Sequence, residues 1–533
     1  MVKEGKVWVA TADNGEALSL LPKMANRHGL IAGATGSGKT VTLKVLAESF
    51  SDMGVPVFLA DVKGDLAGMI QEGSGMEERI ERFSLSGTGY EYKKYPATFW
   101  DLFGEKGIQL RTTISEMGPI LLSRILGLND LQSDILTIAF KIADDNGWFL
   151  FDTKDLKALL NELSENNKDY AADYGKMSPQ SISAILRSVV SLETQGGEVF
   201  FGEPALNLTD WFTTDTNGRG MINILDSESL INNGVLYSTF LLWMLSELFE
   251  TLPEVGDMEK PKMVFFFDEA HLLFKDTSKA LLDKIEQVVK LIRSKGVGVY
   301  FVTQNPRDIP DGVLAQLGNK IQHALHAYTP ADQKAVKAAA DSFRENPEFK
   351  TYDAIMELGT GEAVVSFLDE NGTPGIVRRA FILPPMSKIG GVDDAARDNA
   401  IKGSILYSKY ANSVDSDSAY EMLQRKGVLD AEEAAKAKAE AEAEKARIKE
   451  EAAAKKAEER EAAAKIRAEE RKKQQEEAAK KRAAKSVAST VSGTVGREVG
   501  KAAGKGFGKF GKTLGGNIGA SLGRGLIGTL FKL

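Results

Sequence analysis

Residues 29–50 read Gly-Leu-Ile-Ala-Gly-Ala-Thr-Gly-Ser-Gly-Lys-Thr-Val-Thr-Leu-Lys-Val-Leu-Ala-Glu-Ser-Phe. Inside this stretch, Gly33-Ala34-Thr35-Gly36-Ser37-Gly38-Lys39-Thr40 fits the pattern G-x-x-x-x-G-K-[ST] at every position. An apolar run, Gly29–Ala32, precedes it as a strand, and Val41–Phe50 follows as a helix. That context is what the chemistry needs: the glycines let backbone N–H groups close around phosphates, and the helix N-terminus adds positive potential. Gly33 to Val41 are thus the candidate nucleotide cradle, with Lys39 reaching the β- and γ-phosphates of ATP and the Thr40 hydroxyl meeting Mg²⁺.

Working outward, Met263–Phe267 is an apolar strand that ends in Asp268-Glu269. Two carboxylates at a strand edge beside a phosphate loop suit metal binding by Asp268 and polarisation of the attacking water by Glu269. Val299–Thr303 is a further strand, ending in Gln304, a polar amide suited to sensing the γ-phosphate. Asp61 closes the strand Val57–Ala60 and is a candidate support for the metal or the water. Asp268-Glu269-Ala270-His271 spells the signature of DEAH-box helicases, but the arginine motif of their second domain has no counterpart here. His271 therefore reads as a packing or coupling residue, and His323 and His326, flanking Ala324-Leu325, need not be ligands.

Up to about residue 385, short apolar runs alternate with amphipathic stretches, the pattern of an α/β fold with a mainly parallel sheet. The clearest strands are Leu30–Ala32, Val57–Ala60, Met221–Leu225, Met263–Phe267 and Val299–Thr303. Between about 104 and 195 no comparable strand is expected. That stretch reads as a helical insertion, with helices at Ser115–Leu126 and Asp130–Ala143, one opening near Asp152 and one at Ser178-Pro179. The expected organisation is a short strand region (1–28), an ATPase domain (29–386), a transitional segment (387–430), a charged helix (431–485) and a basic Gly-rich tail (486–533). The charged segment is almost wholly Ala, Glu, Lys and Arg, with EAAAK at Glu451–Lys455 and Glu461–Lys465. It reads as a solvated single helix or weak coiled coil, roughly 80 Å long at about 1.5 Å per residue. In the tail, Gly496, Gly500, Gly504 and Gly508 recur every fourth residue beside Lys501, Lys505 and Lys509. Such a stripe would suit close packing or an anionic surface if helical, while the Gly content favours flexibility in isolation.

The chain has 533 residues and no Cys, which excludes disulfides, thiolate metal sites and a Cys nucleophile. No uninterrupted apolar window of membrane-spanning length occurs, and the first residues lack a signal-peptide core, so a cytoplasmic protein is expected, membrane-peripheral if the tail meets lipid. The net charge of −8 averages unlike parts: −17 over residues 1–430, +3 over 431–485 and +6 over 486–533. An acidic body argues against high non-specific affinity for duplex DNA, which depends on Lys and Arg neutralising phosphates.

HGLIAGATGSGKT, LADVKGDLAG, FFFDEAHLL and VKLIRSKGVGVYFVTQNPRDIP together resemble the HerA/FtsK superfamily of ring-forming P-loop ATPases. RTTISEMGP and YTPADQKAVKAAA make the chain most similar to its bacterial HerA-like (YjgR-type) group. The resemblance covers about residues 5–385 and implies a RecA-like core, a hexameric ring and hydrolysis completed by a basic residue from the neighbouring subunit. It assigns phosphate and Mg²⁺ contacts to Lys39 and Thr40, metal and water to Asp268 and Glu269, and the sensor to Gln304. Lys334 is the candidate for the trans-acting residue, with Arg293, Arg344, Arg378 and Arg379 as competitors. Archaeal HerA resembles a two-part protein whose β-barrel docks a nuclease; residues 1–28 offer no such barrel, which argues against a nuclease partner. The expected function is a Mg²⁺-dependent, DNA-translocating ATPase. The rival from another class is an ATP-switched scaffold whose basic tail binds a membrane or a protein partner.

Overall fold

The computed structural model describes residues 1–256, 258–275 and 279–485. The tail, 486–533, with its glycine and lysine periodicities, lies outside the described residues. Apolar runs that are buried at every position become the centre of one thirteen-stranded sheet. Its strands are β1 (Val2–Lys3), β2 (Lys6–Ala12), β3 (Ala17–Leu20), β4 (Gly29–Ala32), β5 (Val57–Asp61), β6 (Ala97–Asp101), β7 (Ile108–Gln109), β8 (Ile222–Asp226), β9 (Met263–Phe267), β10 (Val297–Thr303), β11 (Asn319–Gln322), β12 (Glu362–Ser366) and β13 (Arg378–Ile382). They are ordered β1-β2-β13-β12-β11-β4-β10-β9-β5-β8-β6-β7, with β3 paired to β2.

From β11 to β7 the pairings are parallel. Residues 1–28 and 362–382 extend that sheet with antiparallel pairs. The order β11-β4-β10-β9-β5 is RecA-like: the phosphate-loop strand β4 and the acidic strand β9 flank β10, so all three deliver their C-terminal ends to one edge. Strands β4, β5, β8, β9 and β10 are buried throughout, as parallel strands covered on both faces must be. Phe58 stacks on Trp211 at 5.0 Å between ring centres, and Trp100 donates to the buried Asn223 Oδ1 at 3.0 Å. The buried Asn223 amide is thereby satisfied on its acceptor side.

Strand limits shift slightly from the sequence reading: those expected at Leu30–Ala32, Val57–Ala60 and Met221–Leu225 are Gly29–Ala32, Val57–Asp61 and Ile222–Asp226, and the one expected at Val299 opens at Val297. The stretch where no comparable strand was expected contains β7, two residues paired with β6. Beyond β7 come the helices Ile114–Ile125, Asp130–Asn146, Thr153–Glu165, Asn167–Tyr174 and Pro179–Leu192. Their starts are chemically marked: Thr113 with Glu116, Asn129 with Gln132 and Asp152 with Asp155 form capping boxes, and the Ser178 hydroxyl accepts from Ser181 N–H.

The chain divides into two compact units, Met1–Ala431 and Glu432–Leu533. Within the first, residues 386–410 are tied to the core. Glu48 accepts the N–H groups of Met386 and Ser387 at 2.8 and 3.1 Å, and Arg397 pairs with Asp226 at 2.8 Å. The charged helix runs Ala419–Lys485, opening twelve residues before the change in composition. Ser418 explains the early start: its N–H and hydroxyl both donate to Glu421, at 3.0 and 2.7 Å, a cap independent of the Ala/Glu/Lys run. Further along the side chains are exposed, with Glu461–Lys465 paired at 3.4 Å. No helix among the described residues is long and apolar enough to cross a membrane.

Candidate nucleotide site

The loop between β4 and helix α1 (Lys39–Asp52) is held in a shape that glycine permits. Gly33, Gly36 and Gly38 have φ of +156°, +77° and +115°. Gly33 matters most, because a Cβ there would stand 2.5 Å from His323 Cβ. The loop is pinned at three backbone points: Gly33 N–H to Thr303 O at 3.2 Å, Ala34 N–H to Ala324 O at 2.8 Å, and Gly361 N–H to Ser37 O at 3.0 Å. Lys39 turns back into it and donates to Gly33 O and Ala34 O at 2.7 and 3.0 Å. Burial pushes the Lys39 pKa down, while the Asp268 carboxylate works the other way.

The structure brings the acidic strand and the amide to this loop. Gln304 Nε2 donates to Glu269 Oε1 and Oε2 at 3.3 and 3.4 Å, and Thr35 Oγ1 donates to Gln304 Oε1 at 3.4 Å. A polar line therefore runs from the phosphate loop through the amide to the carboxylate. Glu269 has φ +48°, a left-handed conformation unusual for a side chain with a Cβ, held while its N–H donates to Asp268 Oδ1 at 2.9 Å. Asp268 is recessed at the end of β9, and loss of solvent, then the neighbouring Glu269 charge, push its pKa up to about 7. His271 Nδ1 stands 3.3 Å from Glu269 Oε2, a contact with the acidic pair rather than with the loop.

Thr40, in the first turn of α1, and Asp268 offer hard oxygen donors from two sides. A carboxyl this short of solvent and crowded by a second one is chemically matched to a divalent cation whose other ligands are phosphate oxygens and water. The residues thus fit Mg²⁺, and Thr40 and Asp268 are the two that could hold it.

Asp61, the strand-end carboxylate considered as a support for the metal or the water, is engaged by the backbone that follows it. Its carboxylate accepts from Asp65 N–H and Leu66 N–H at 3.2 and 3.0 Å, so it fastens the turn after β5. Burial and then Asp65 push its pKa up to about 6. Two residues to which the sequence reading gave no role at the site lie beside it. His323 lies under the loop, with Thr42 Oγ1 donating to Nε2 at 2.8 Å and Nδ1 donating to Glu362 O at 2.8 Å. Lys63, in the turn that Asp61 fastens, places a charge near both Lys39 and Asp268. Its only sequence signal is a lone basic residue two positions beyond a buried strand in Asp61-Val62-Lys63-Gly64-Asp65.

The basic candidates for a trans role separate. Arg378 is paired with Glu16, and Arg379 with Glu362 at 2.8 Å. Arg344 donates to Pro374 O at 3.4 Å. Lys334 is exposed on helix Pro330–Asp341, away from the loop in sequence, and Arg293 is exposed at the N-terminal end of β10, the opposite edge of the sheet from its own phosphate loop. His326 packs against the exposed Tyr328, ring centres 5.6 Å apart.

A phosphate loop on β4, an acidic pair on β9 and an amide on the intervening β10 define a RecA-like P-loop nucleotide-binding protein. The sequence model of the helicase HerA-like C-terminal family matches residues 7–512, and the chain belongs to that family. It is 22% identical over 347 residues to the DNA double-strand break repair helicase HerA of Sulfolobus acidocaldarius, spanning 64% of this chain and 62% of that protein. It is also 22% identical over 360 residues to the DNA import protein CedB of the same organism, spanning 65% and 51%. Among solved structures it is similar to VirB4 of Thermoanaerobacter pseudethanolicus, with 16% identity, 74% and 98% coverage and a TM-score of 0.47. The plasmid coupling protein TrwB with ADP and Mg²⁺ is similar at 15% identity, 74% and 92% coverage and the same TM-score, 0.47.

Proposed function

We propose that the chain is a Mg²⁺-dependent ATPase that works as a homo-oligomeric ring, a hexamer, and moves DNA. The observation that carries the reading is the line Thr35–Gln304–Glu269, at 3.4 and 3.3 Å, which joins the phosphate loop to a carboxylate able to take a proton from water. In this reading the cradle of Gly33 to Val41 orients the triphosphate, and Lys39 leaves the carbonyls of Gly33 and Ala34 for the β/γ-phosphate oxygens. Glu269 polarises the attacking water, and Gln304 holds Glu269 in place until the γ-phosphate competes for its amide. Bound Mg²⁺ would neutralise phosphate charge. The chain's own contribution to holding it is Thr40 and Asp268. Lys334 is the proposed trans-acting residue and Arg293 its main competitor; only the second has its own phosphate loop at the far edge of the sheet. A Lys in that role, lacking the bidentate fork of Arg, would give slower turnover than an Arg.

The activities of the relatives HerA and CedB, DNA repair and DNA import, support DNA as cargo. The concentration of positive charge in residues 431–533 favours the rival, an ATP-switched scaffold that engages an anionic membrane or a protein partner through 486–533. ATP hydrolysis measured with and without duplex DNA, single strands, RNA and anionic liposomes separates the two. Stimulation by DNA that falls steeply with salt supports the motor. Hydrolysis indifferent to nucleic acid, with liposome binding lost on removing 486–533, supports the scaffold. Lys39→Ala should abolish ATP binding, and unchanged affinity would overturn the site itself.

A further inference from the structure

Strand β5 runs beside β9 with Leu59 opposite Phe266. The residues that close these strands, Asp61 and Asp268, therefore emerge at the same edge of the sheet. The turn after β5 is fastened on both sides of Lys63. On one side the Asp61 carboxylate takes the N–H groups of Asp65 and Leu66. On the other, Gly64 has φ +71°, and a Cβ there would stand 1.9 Å from Glu228 Oε1, a carboxylate already engaged by Lys106. A side chain at 64 would have to break that pair.

Lys63 itself is exposed, and no hydrogen bond or ion pair engages its ammonium among the described residues. The ammonium is thus unfastened on a turn whose backbone the Asp61 carboxylate fastens. Its charge still reaches the site. Its ammonium lies within electrostatic range of both Lys39 and the Asp268 carboxylate, as the shared edge of β5 and β9 requires. Lys39 approaches from the β4 side of the site, where it is tied to Gly33 and Ala34. Lys63 approaches from the β5 side, beyond the acidic strand. The space between them is where Glu269 and Gln304 meet.

We propose that Lys63 is a catalytic residue of its own subunit's site, a cation that contacts the γ-phosphoryl group of ATP and neutralises the charge developing there during hydrolysis. In that step the water oxygen bonds to Pγ, the Pγ–O bond to ADP breaks with its electron pair going to ADP, and the water proton passes to Glu269. Lys63 forms no covalent bond and keeps its proton. Its contribution is electrostatic, made at the phosphoryl group as charge develops there. The assignment rests on the ATPase reading. It also gives each subunit a second cation for the phosphoryl group that does not wait on ring assembly.

The test uses the full chain with Mg²⁺ as wild type, Lys63→Gln, Lys63→Arg and Glu269→Gln. Two quantities are read: single-turnover hydrolysis of ATP, and affinity for ADP with and without fluoroaluminate, a mimic of the transferring phosphoryl group. Lys63→Gln is expected to slow hydrolysis about 10²-fold while ADP affinity stays within about threefold. It should also lose the gain in ADP affinity that fluoroaluminate gives wild type, and Lys63→Arg should recover part of both. Hydrolysis at the wild-type rate with the fluoroaluminate gain intact overturns the assignment. So does a fall in ADP affinity with hydrolysis unchanged, which marks a role in ground-state binding alone. Wild type that hydrolyses no faster than Glu269→Gln, and shows no fluoroaluminate gain, overturns the ATPase reading and this assignment with it.

Discussion

Replacing His323 with Gln turns the burial of one imidazole into a measurable pH dependence. The ring is enclosed beneath the phosphate loop, with the Glu362 carbonyl on Nδ1 and the Thr42 hydroxyl on Nε2, both at 2.8 Å. A carbonyl can only accept, so Nδ1 carries the proton, and Nε2 accepts from Thr42. Burial pushes the His323 pKa down from 6.5 to about 4; the Glu362 carbonyl opposes this and Lys39 adds to it. In the unfolded chain the imidazole takes a proton near its ordinary pKa, while in the folded chain it resists until near 4. Between those values the unfolded chain binds more protons, so the stability tied to this residue is complete above about pH 6.5 and is lost as pH falls toward 4. For these two pKa values, the loss is about 2.5 kcal/mol at pH 4.5 and less than about 0.1 kcal/mol at pH 7.5.

Gln at 323 has no proton to gain in this range. Its amide can still donate to Glu362 O, but leaves the Thr42 hydroxyl poorly matched, at a cost of roughly 1–2 kcal/mol at pH 7.5. Asp61 and Asp268 titrate alike in both proteins and cancel from the difference. Urea unfolding followed by Trp fluorescence at pH 7.5 and 4.5 should therefore show the wild-type advantage shrinking by about 2.5 kcal/mol, leaving the variant equal or more stable at the lower pH. A gap that stays constant across the two pH values would refute a neutral, enclosed imidazole.

Glu269→Gln keeps the shape of the acidic pair but removes its capacity to take a proton, so turnover should fall about 10²–10³-fold with ATP still bound; near-wild-type turnover removes Glu269 from the water-activating role. Gly33→Ala puts a Cβ against His323 Cβ at 2.5 Å and should weaken ATP binding at least about tenfold, through strain of 1–3 kcal/mol; calorimetric affinity checks it. Arg397→Met strands the Asp226 carboxylate, whose side chain is 5% exposed, and should destabilise the chain by about 3 kcal/mol. Adding Asp226→Asn should recover part of that loss, and additive effects in urea would deny the coupling.

The strands legible in the sequence are those whose every residue is buried, because an apolar run between polar turns needs no tertiary information. Strands β12 and β13 escaped because they pair antiparallel, and Glu362, Arg378 and Arg379 interrupt their apolar pattern. Strand β6 was hidden behind Tyr95-Pro96, where a loop was the easier reading. The same division holds at the site. Lys39, Asp268, Glu269 and Gln304 could be named because each sits at the end of an apolar run, and backbone geometry alone carries it to the common edge. His323 and Glu362 meet the loop only through the pairing of β11 with β4 and with β12, contacts that no local spacing records. For Asp61, its strand-end position was visible in the sequence, but the two N–H groups that occupy its carboxylate were not.

Glu269 also bears on how the helical insertion is linked to the chemistry. Helix Gly234–Thr251 touches both: Tyr237 Oη donates to Asp268 O at 2.9 Å, and the adjacent Ser238 Oγ accepts from Arg124 Nη2 at 3.0 Å. Arg124 belongs to the insertion helix Ile114–Ile125, and the same nitrogen reaches Lys275 O at 3.4 Å, in the segment that leaves the acidic pair through His271. The peptide between Asp268 and Glu269 is therefore held by one helix face, and the segment after it by the insertion. Glu269 adopts φ +48° within that grip, at a cost on the order of 1–3 kcal/mol that the surrounding contacts must sustain. Relaxing that residue toward ordinary backbone angles would move the Asp268 carbonyl, and with it Tyr237 and the neighbouring Arg124 contact. A local change at the carboxylate that meets water is thus mechanically joined to the insertion, in a body whose net charge of −17 leaves any grip on DNA to a few locally placed cations rather than to the surface at large.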